Sequence, residues 1–297
     1  MFRVSYVNFW DTFDPINNWF TNFLKHHFGK LKVVSSKAYS DILISSCHGP
    51  ISNAIESNSA VKVFCCDENL LRLKNYRDKN ILEKTFNFQI DSLGDLESSS
   101  KRIYFPMWIK NYSYYSFVKG DNVATYIYKQ RKSNLSKKKE IIASLVASHD
   151  LNGVRRRLSR SFDKHGKVFA PGFFMKNTNE IDGHIDSKID FISKSLFNIC
   201  PENSYIHGYR SEKLIQALEA GTIPVYWGWK PENDYINKSC YIFHDCSSIG
   251  DKLVDDAIKK PLDYLTVPIF NDWIDDYLEE KYLLLKRSFL YFLEKIN

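Results

Sequence analysis

The sequence predicts an α/β fold of two Rossmann-like domains facing a cleft, each a parallel sheet covered by helices, with a C-terminal helix after them. Three observations carry this. The 297 residues exceed what one ordinary core uses and suit two domains. Short apolar runs alternate with amphipathic segments through short connections, the pattern of strand, helix, strand units that build parallel sheets. The series stops at a polar, basic stretch and then begins again.

Residues 1–128 form the first domain. Arg3 to Phe9 alternates as a strand, Ile16 to Phe28 has helical spacing, and Lys32 to Ser36, Asp41 to Ser46 and Val61 to Cys66 read as further strands. Phe86 to Ile90 and Arg102 to Phe105 complete the sheet. Residues 129–140, polar and basic, are the candidate linker. The second domain, 141–270, runs through a strand Ile141 to Ala147, a helix Asn152 to Phe162, a strand Lys167 to Ala170 and a helix Asp186 to Ser193. The strand Ser195 to Cys200, the helix Ser211 to Glu219 and the strand Ile223 to Trp227 follow. Residues 271–297 carry apolar side chains at helical spacing (Trp273, Tyr277, Leu278, Tyr282, Leu285, Phe289, Phe292, Ile296), so an amphipathic helix should pack on the body.

Composition excludes several classes. Apolar residues at 44% and charged residues at 26% are those of a folded protein rather than a disordered one. No apolar run approaches the roughly 20 residues that span a bilayer. The N-terminus lacks the charged, apolar and small-residue blocks of a secretory signal. Six cysteines show no C-x-x-C pair, which fits reduced thiols and a cytoplasmic location. The net charge of +6 is concentrated in Lys129, Arg131, Lys132 and Lys137 to Lys139, then Arg155 to Arg157 and Arg160. No zinc finger or aromatic-interleaved RNA motif accompanies it, so a solvated linker plus a phosphate-binding helix start is expected, with no nucleic-acid partner.

The sequence holds no G-x-x-x-x-G-K-[ST] loop, no G-x-G-x-x-G and no Asp-x-Asp pair. If a diphosphate departs, its charge must be met by the protein's own cations, and no metal or cofactor is expected. Ser195 to Gly228 supplies such a place. Its order of strand, polar loop, helix and Gly-Thr-Ile-Pro before the next strand puts Ser211, Glu212 and Lys213 at a helix start on the carboxyl edge of a parallel sheet. Backbone N–H groups there attract phosphate, Lys213 adds a full charge, and Glu212 can accept ribose hydroxyls.

Glu202-Asn203-Ser204, Gly208-Tyr209 with Ser211-Glu212-Lys213, and Gly221-Thr222-Ile223-Pro224 followed by Tyr226-Trp227-Gly228 resemble the donor signature of the α1,3-fucosyltransferases, glycosyltransferase family 10. Val7 to Trp10, Phe13-Asp14-Pro15, Ser40 to Ser46 and Val63 to Asn69 resemble the first half of soluble bacterial-type members, and Leu145 to Ser148 with Arg155 resembles their V-x-S-N…R block. The likeness covers roughly residues 1–250. Pro201 stands where the family has Phe, His149 where it has Asn, and Asp67 where it has Gly before Glu68.

The resemblance implies a GT-B-like fold, an acceptor-side first domain and a donor-binding second domain. It implies an inverting transfer of L-fucose from GDP-β-L-fucose to a hydroxyl of an acceptor glycan. Glu68 is then the general base, and Arg155, Asn203, Tyr209, Glu212 and Lys213 hold the donor. Arg156 and Arg157 adjoin Arg155 and could exchange roles with it. Tyr112, Tyr114, Tyr115 and Phe117 are candidate stacking surfaces for the acceptor. Two alternatives stay open: the same fold using another sugar nucleotide, and a non-catalytic nucleotide- or RNA-binding module.

Overall fold

A computed structural model describes residues 1–69, 73–76, 78–91, 101–114, 122–179, 181 and 184–295. The chain divides into two compact units. The first comprises 1–123, 207–209 and 276–297, and the second 124–206 and 210–275.

In the first unit the elements are β1 (Phe2–Val7), α1 (Trp19–Phe28), β2 (Leu31–Val33), β3 (Ser40–Ser45), α2 (Ser52–Ile55), β4 (Ser59–Cys66), α3 (Lys79–Thr85), β5 (Phe88–Asp91), β6 (Arg102–Tyr104) and α4 (Met107–Tyr114). The six strands form one parallel sheet ordered β2-β1-β3-β4-β5-β6. The central strands are buried on both faces, which is why β3 and β4 read as nearly continuous apolar runs. Helix α1 starts at Trp19, three residues later than its periodicity suggests, because the Asn18 side chain accepts the Thr21 amide and caps the helix there.

The second unit holds α5 (Val123–Leu135, with Val123 at the boundary), β7 (Ile141–Ser144), α6 (Val154–Arg160), β8 (Val168–Phe169), α7 (Ile185–Ser193), β9 (Ser195–Ile199), α8 (Lys213–Glu219), β10 (Ile223–Tyr226), β11 (Ile242–Phe243), α9 (Ser248–Lys259) and α10 (Leu262–Leu265). Its five strands are parallel in the order β11-β10-β9-β7-β8. Ala143, Phe197, Ile199, Ile223 and Val225 from the strands meet Leu158 and Val254 from the helices and Phe162 from the turn after α6 in one core.

The expected linker differs. Residues 129–135 are helical, and the buried positions of that helix, Val123, Ala124, Ile127, Arg131 and Asn134, lie at helical spacing and include two polar residues. Arg131 donates to the carbonyls of Leu218 (2.8 Å) and Leu265 (3.2 Å), and Asn134 to that of Glu219 (3.0 Å). Part of the basic cluster therefore caps the end of α8. Gly221 makes this possible: it has φ +66°, and a Cβ there would lie 2.9 Å from the Leu135 nitrogen.

The last helix, α11 (Ile274–Leu293), belongs from Asp276 onward to the first unit, so that unit is discontinuous in sequence. Phe289 is fully buried, with ring centroids 5.9 Å from Phe23 and 5.0 Å from Phe88, and Phe292 stacks on Phe88 at 5.3 Å. Ile296 lies outside the described residues. No helix among the described residues is long and apolar enough to cross a membrane.

Candidate functional site

Beyond β9 the chain turns through Cys200, Pro201, Glu202 and Asn203 at the carboxyl edge of the second sheet. Glu202 is 1% exposed, and a carboxylate buried so deeply must be fully paired. Its oxygens accept from the Ser211 amide (2.8 Å), the Ser211 hydroxyl (2.6 Å), the Lys213 ammonium (3.3 Å) and the Tyr226 hydroxyl (3.5 Å). Gly228 lets the strand end pass: a Cβ there would lie 2.8 Å from Glu202 Cγ. This corrects one expectation. The Ser211 amide before α8 does not await a phosphate, because Glu202 already occupies it, so an anion here must be met chiefly by side-chain cations.

Those cations converge. Arg155, Lys188 and Lys213 line one recess of about 10 Å³ with Leu145, Asn198 and Pro201, enough for about one water-sized group. Of three consecutive arginines only Arg155 reaches it. Arg157 is held by both oxygens of Asp251 (2.9 and 2.7 Å), and Arg156 is exposed over the Phe174 ring. Arg155 is buried and donates to Asn203 Oδ1 at 2.6 Å, to His149 Nδ1 at 3.1 Å and to the His149 carbonyl. His149 therefore serves as an acceptor for the arginine.

Glu212 forms an ion pair with Lys188 at 3.7 Å. Burial alone would raise the Glu212 carboxyl, but Lys213 and Lys188 hold it down to about 2. Burial would likewise lower Lys213, yet Glu202 and Glu212 raise it above the usual lysine range. Lys188 is lowered by burial, only partly offset by Glu212. Among the described residues, three cations against two carboxylates leave one net positive charge around the recess.

Arg155, Asn203, Glu212 and Lys213 thus come together in the second unit. Tyr209 is buried and groups with the first unit. Next to it in sequence, Arg210 is fully buried against Asp234 in a bidentate pair (2.7 and 2.8 Å), which anchors the loop before α8.

Glu68 lies in the first unit, two residues past β4, half-buried at a cavity of about 430 Å³. Aromatic walls from Phe9, Trp10 and Phe13 face a charged corner there. Asp67 accepts from the buried Lys110 ammonium at 2.5 Å, and Lys110 also reaches Cys65 Sγ at 3.3 Å. Tyr112 is not a stacking surface, because it is buried behind Trp108 in the core. Tyr115 and Phe117, and the side chain of Tyr114, lie outside the described residues.

Sequence reasoning missed three residues. Glu202 was visible as a motif match but carried no role until its four donors were seen. Lys188 sits on an amphipathic helix, where a lysine is indistinguishable from a solvated one. Lys110 had a weak signal, a lone cation in the run Trp108-Ile109-Lys110-Asn111-Tyr112.

Residues 4–111 match the α-(1,3)-fucosyltransferase FucT N-terminal domain, and residues 135–255 match the C-terminal part of glycosyltransferase family 10 (fucosyltransferase). An α-(1,3)-fucosyltransferase FucT of Helicobacter pylori is 32% identical over 113 residues, which are 37% of this chain and 23% of that protein. The chain thus spans under a quarter of the length of that relative in the aligned region. A crystal structure of an α1,3-fucosyltransferase superposes with TM-score 0.68 at 16% identity, covering 99% of this chain and 90% of that one. Another, solved with GDP-fucose, gives TM-score 0.64 at 18% identity over 89% and 80% of the two chains. These likenesses show a shared GT-B-like α/β fold, and with both domain models of one family matched in order along the sequence, the chain belongs to the family 10 fucosyltransferases.

Proposed function

We propose that this chain is an inverting fucosyltransferase that moves L-fucose from GDP-β-L-fucose to a hydroxyl of an acceptor glycan, an α1,3 linkage to a glucose- or N-acetylglucosamine-type sugar. The second unit takes the donor and the first the acceptor. The observation that carries the reading is the convergence of Arg155, Lys188 and Lys213 on one recess at the carboxyl edge of the second sheet, beside a paired Glu212. A recess of that size admits a phosphate oxygen rather than a whole nucleotide. The solved relative of the same fold that was crystallised with GDP-fucose supports the choice of donor.

In this reading the acceptor hydroxyl attacks the fucose anomeric carbon from the face opposite GDP. Its proton passes to the Glu68 carboxylate as the new bond forms, and the bond to the diphosphate breaks. Arg155 and Lys213, with Lys188 behind them, neutralise the departing diphosphate, so no divalent metal is required. Asn203 fixes Arg155 and lines the donor. Glu212 accepts the ribose hydroxyls, and Tyr209 lines the nucleotide or the sugar. A cytoplasmic location is part of the proposal, supported by six cysteines that are all free thiols.

An acceptor array with GDP-fucose, read by mass spectrometry with and without EDTA, tests the reaction. A thermal-shift panel of GDP-fucose, GDP-mannose and UDP-sugars separates it from the use of another donor. Glu68→Gln should lower turnover by roughly 10²- to 10⁴-fold while GDP binding by calorimetry stays near wild type. Unchanged turnover removes Glu68 from the mechanism. Lys213→Ala should weaken GDP by about tenfold or more and guanosine much less, since about 1.4 kcal/mol is one decade. An equal loss for both ligands argues against a phosphate contact.

A further inference from the structure

The 430 Å³ cavity of the first unit falls within the usual size range of small-molecule sites, and its walls are of two kinds. One wall is aromatic. Trp10 is 52% exposed, unusual for so large an apolar ring, yet its position is fixed by edge contacts with Phe9 (5.7 Å), Phe13 (5.4 Å) and His48 (5.9 Å). Phe9 and Phe13 are themselves stacked at 3.9 Å, so the indole rests on a stiff aromatic base. An exposed, immobilised indole offers a flat apolar surface at little entropic cost to whatever binds it.

The other wall is acidic. Among the described residues, Asp14, Asp67 and Glu68 line the cavity against one cation, Lys110. Lys110 is buried, and its charge is directed into Asp67 at 2.5 Å and Cys65 at 3.3 Å. Among the described residues, three carboxylates against one ammonium put acidic groups in excess on this wall. Its carboxylates can accept hydrogen bonds from hydroxyl groups, while an acidic substituent would meet like charge in a partly desolvated space.

We propose that this cavity is a subsite for an uncharged pyranose, with Trp10 as the platform for its apolar C–H face and the Lys110-held Asp67 as acceptor for one of its hydroxyls. It discriminates against sugars bearing sulfate or carboxylate groups. The proposal rests on the transferase reading for the use made of the sugar, but not for its binding. Asp67 is then a specificity element of this chain that Lys110 holds in place.

The test uses the full chain without donor. Binding of N-acetylglucosamine and of N-acetylglucosamine 6-sulfate is measured by saturation-transfer NMR titration for wild type, Trp10→Phe, Trp10→Ala and Asp67→Asn. Wild type should bind the neutral sugar at least about tenfold more tightly than its sulfate, the scale of one like-charge contact. Trp10→Ala should lose about tenfold or more of neutral-sugar binding while Trp10→Phe keeps most of it. Asp67→Asn should narrow the neutral-to-sulfate ratio. Equal binding of the two sugars, no binding of the neutral one, or unchanged binding in Trp10→Ala overturns the proposal. If Trp10→Ala fails to fold, the wild-type ratio and Asp67→Asn decide it. A parallel transfer assay separates the two readings. Selective binding without fucose transfer sinks the reaction and leaves the subsite standing, whereas transfer to sulfated and neutral sugars alike does the reverse.

Discussion

The two units share a parallel sheet covered by helices, yet they build their sites from opposite materials. In the second unit nearly every functional side chain is already spoken for by another: Glu202 by Ser211 and Lys213, Glu212 by Lys188, Arg155 by Asn203 and His149, Arg210 by Asp234. In the first unit one wall of the cavity is a stiff cluster of rings, and among the described residues the carboxylates opposite share a single ion pair, Lys110 with Asp67. Paired charges are costly to bury but hold their geometry before any ligand arrives, which suits recognition of an invariant, highly charged group. An aromatic surface demands less geometric precision and suits a ligand whose substituents vary.

Breaking the buried pair that supports the charged site should have the largest effect. Arg210→Ala strands Asp234 without its countercharge in a fully buried position, and should cost roughly 3–5 kcal/mol of stability in a denaturant titration. A loss below about 1 kcal/mol would mean the pair is not the anchor its burial indicates.

Glu202→Gln sharpens the comparison further. It removes the charged acceptor shared by four donor groups and should destabilise by about 1–3 kcal/mol. It also raises the net positive charge of the site by one. If the pairs serve to position Lys213, GDP affinity measured by calorimetry falls despite the added charge, and that is the expected result. A rise would show that charge alone attracts the nucleotide.

The smallest effect is a pH dependence. Lys139 is half-buried; burial first, then Arg131 and Lys137, lower it to about 8. An unfolded lysine titrates near about 10.4. The folded state thus binds this proton less tightly than the unfolded chain, so the group's contribution to stability improves as pH rises from about 8 to about 10.4. Comparing the melting temperatures of wild type and Lys139→Gln at the two ends of that window should show a smaller pH dependence in the variant.

Most of the sheet framework was legible in the sequence, because strands buried on both faces leave unbroken apolar runs such as Ile42-Leu43-Ile44 and Val63-Phe64-Cys65-Cys66. Helix α5 was not legible, since two of its inward positions are Arg131 and Asn134, whose partners are backbone carbonyls some 85 residues away. The same reason hid half of the candidate site. Glu212, Lys213 and Arg155 were visible through the order of their motifs, but what holds each is Lys188, Glu202 and Asn203 respectively, brought near by tertiary folding. The helix start before Lys213 illustrates the limit: a free-looking Ser211 amide is occupied by a carboxylate nine residues earlier.

The return of α11 to the first unit bears on biosynthesis. A ribosome releases every residue of the second unit before Phe289, so the later half of the message encodes the unit that can finish folding earlier. Until the tail emerges, Phe23 and Phe88 lack the ring that covers them, leaving the nascent N-terminal sheet a sticky surface in need of shelter.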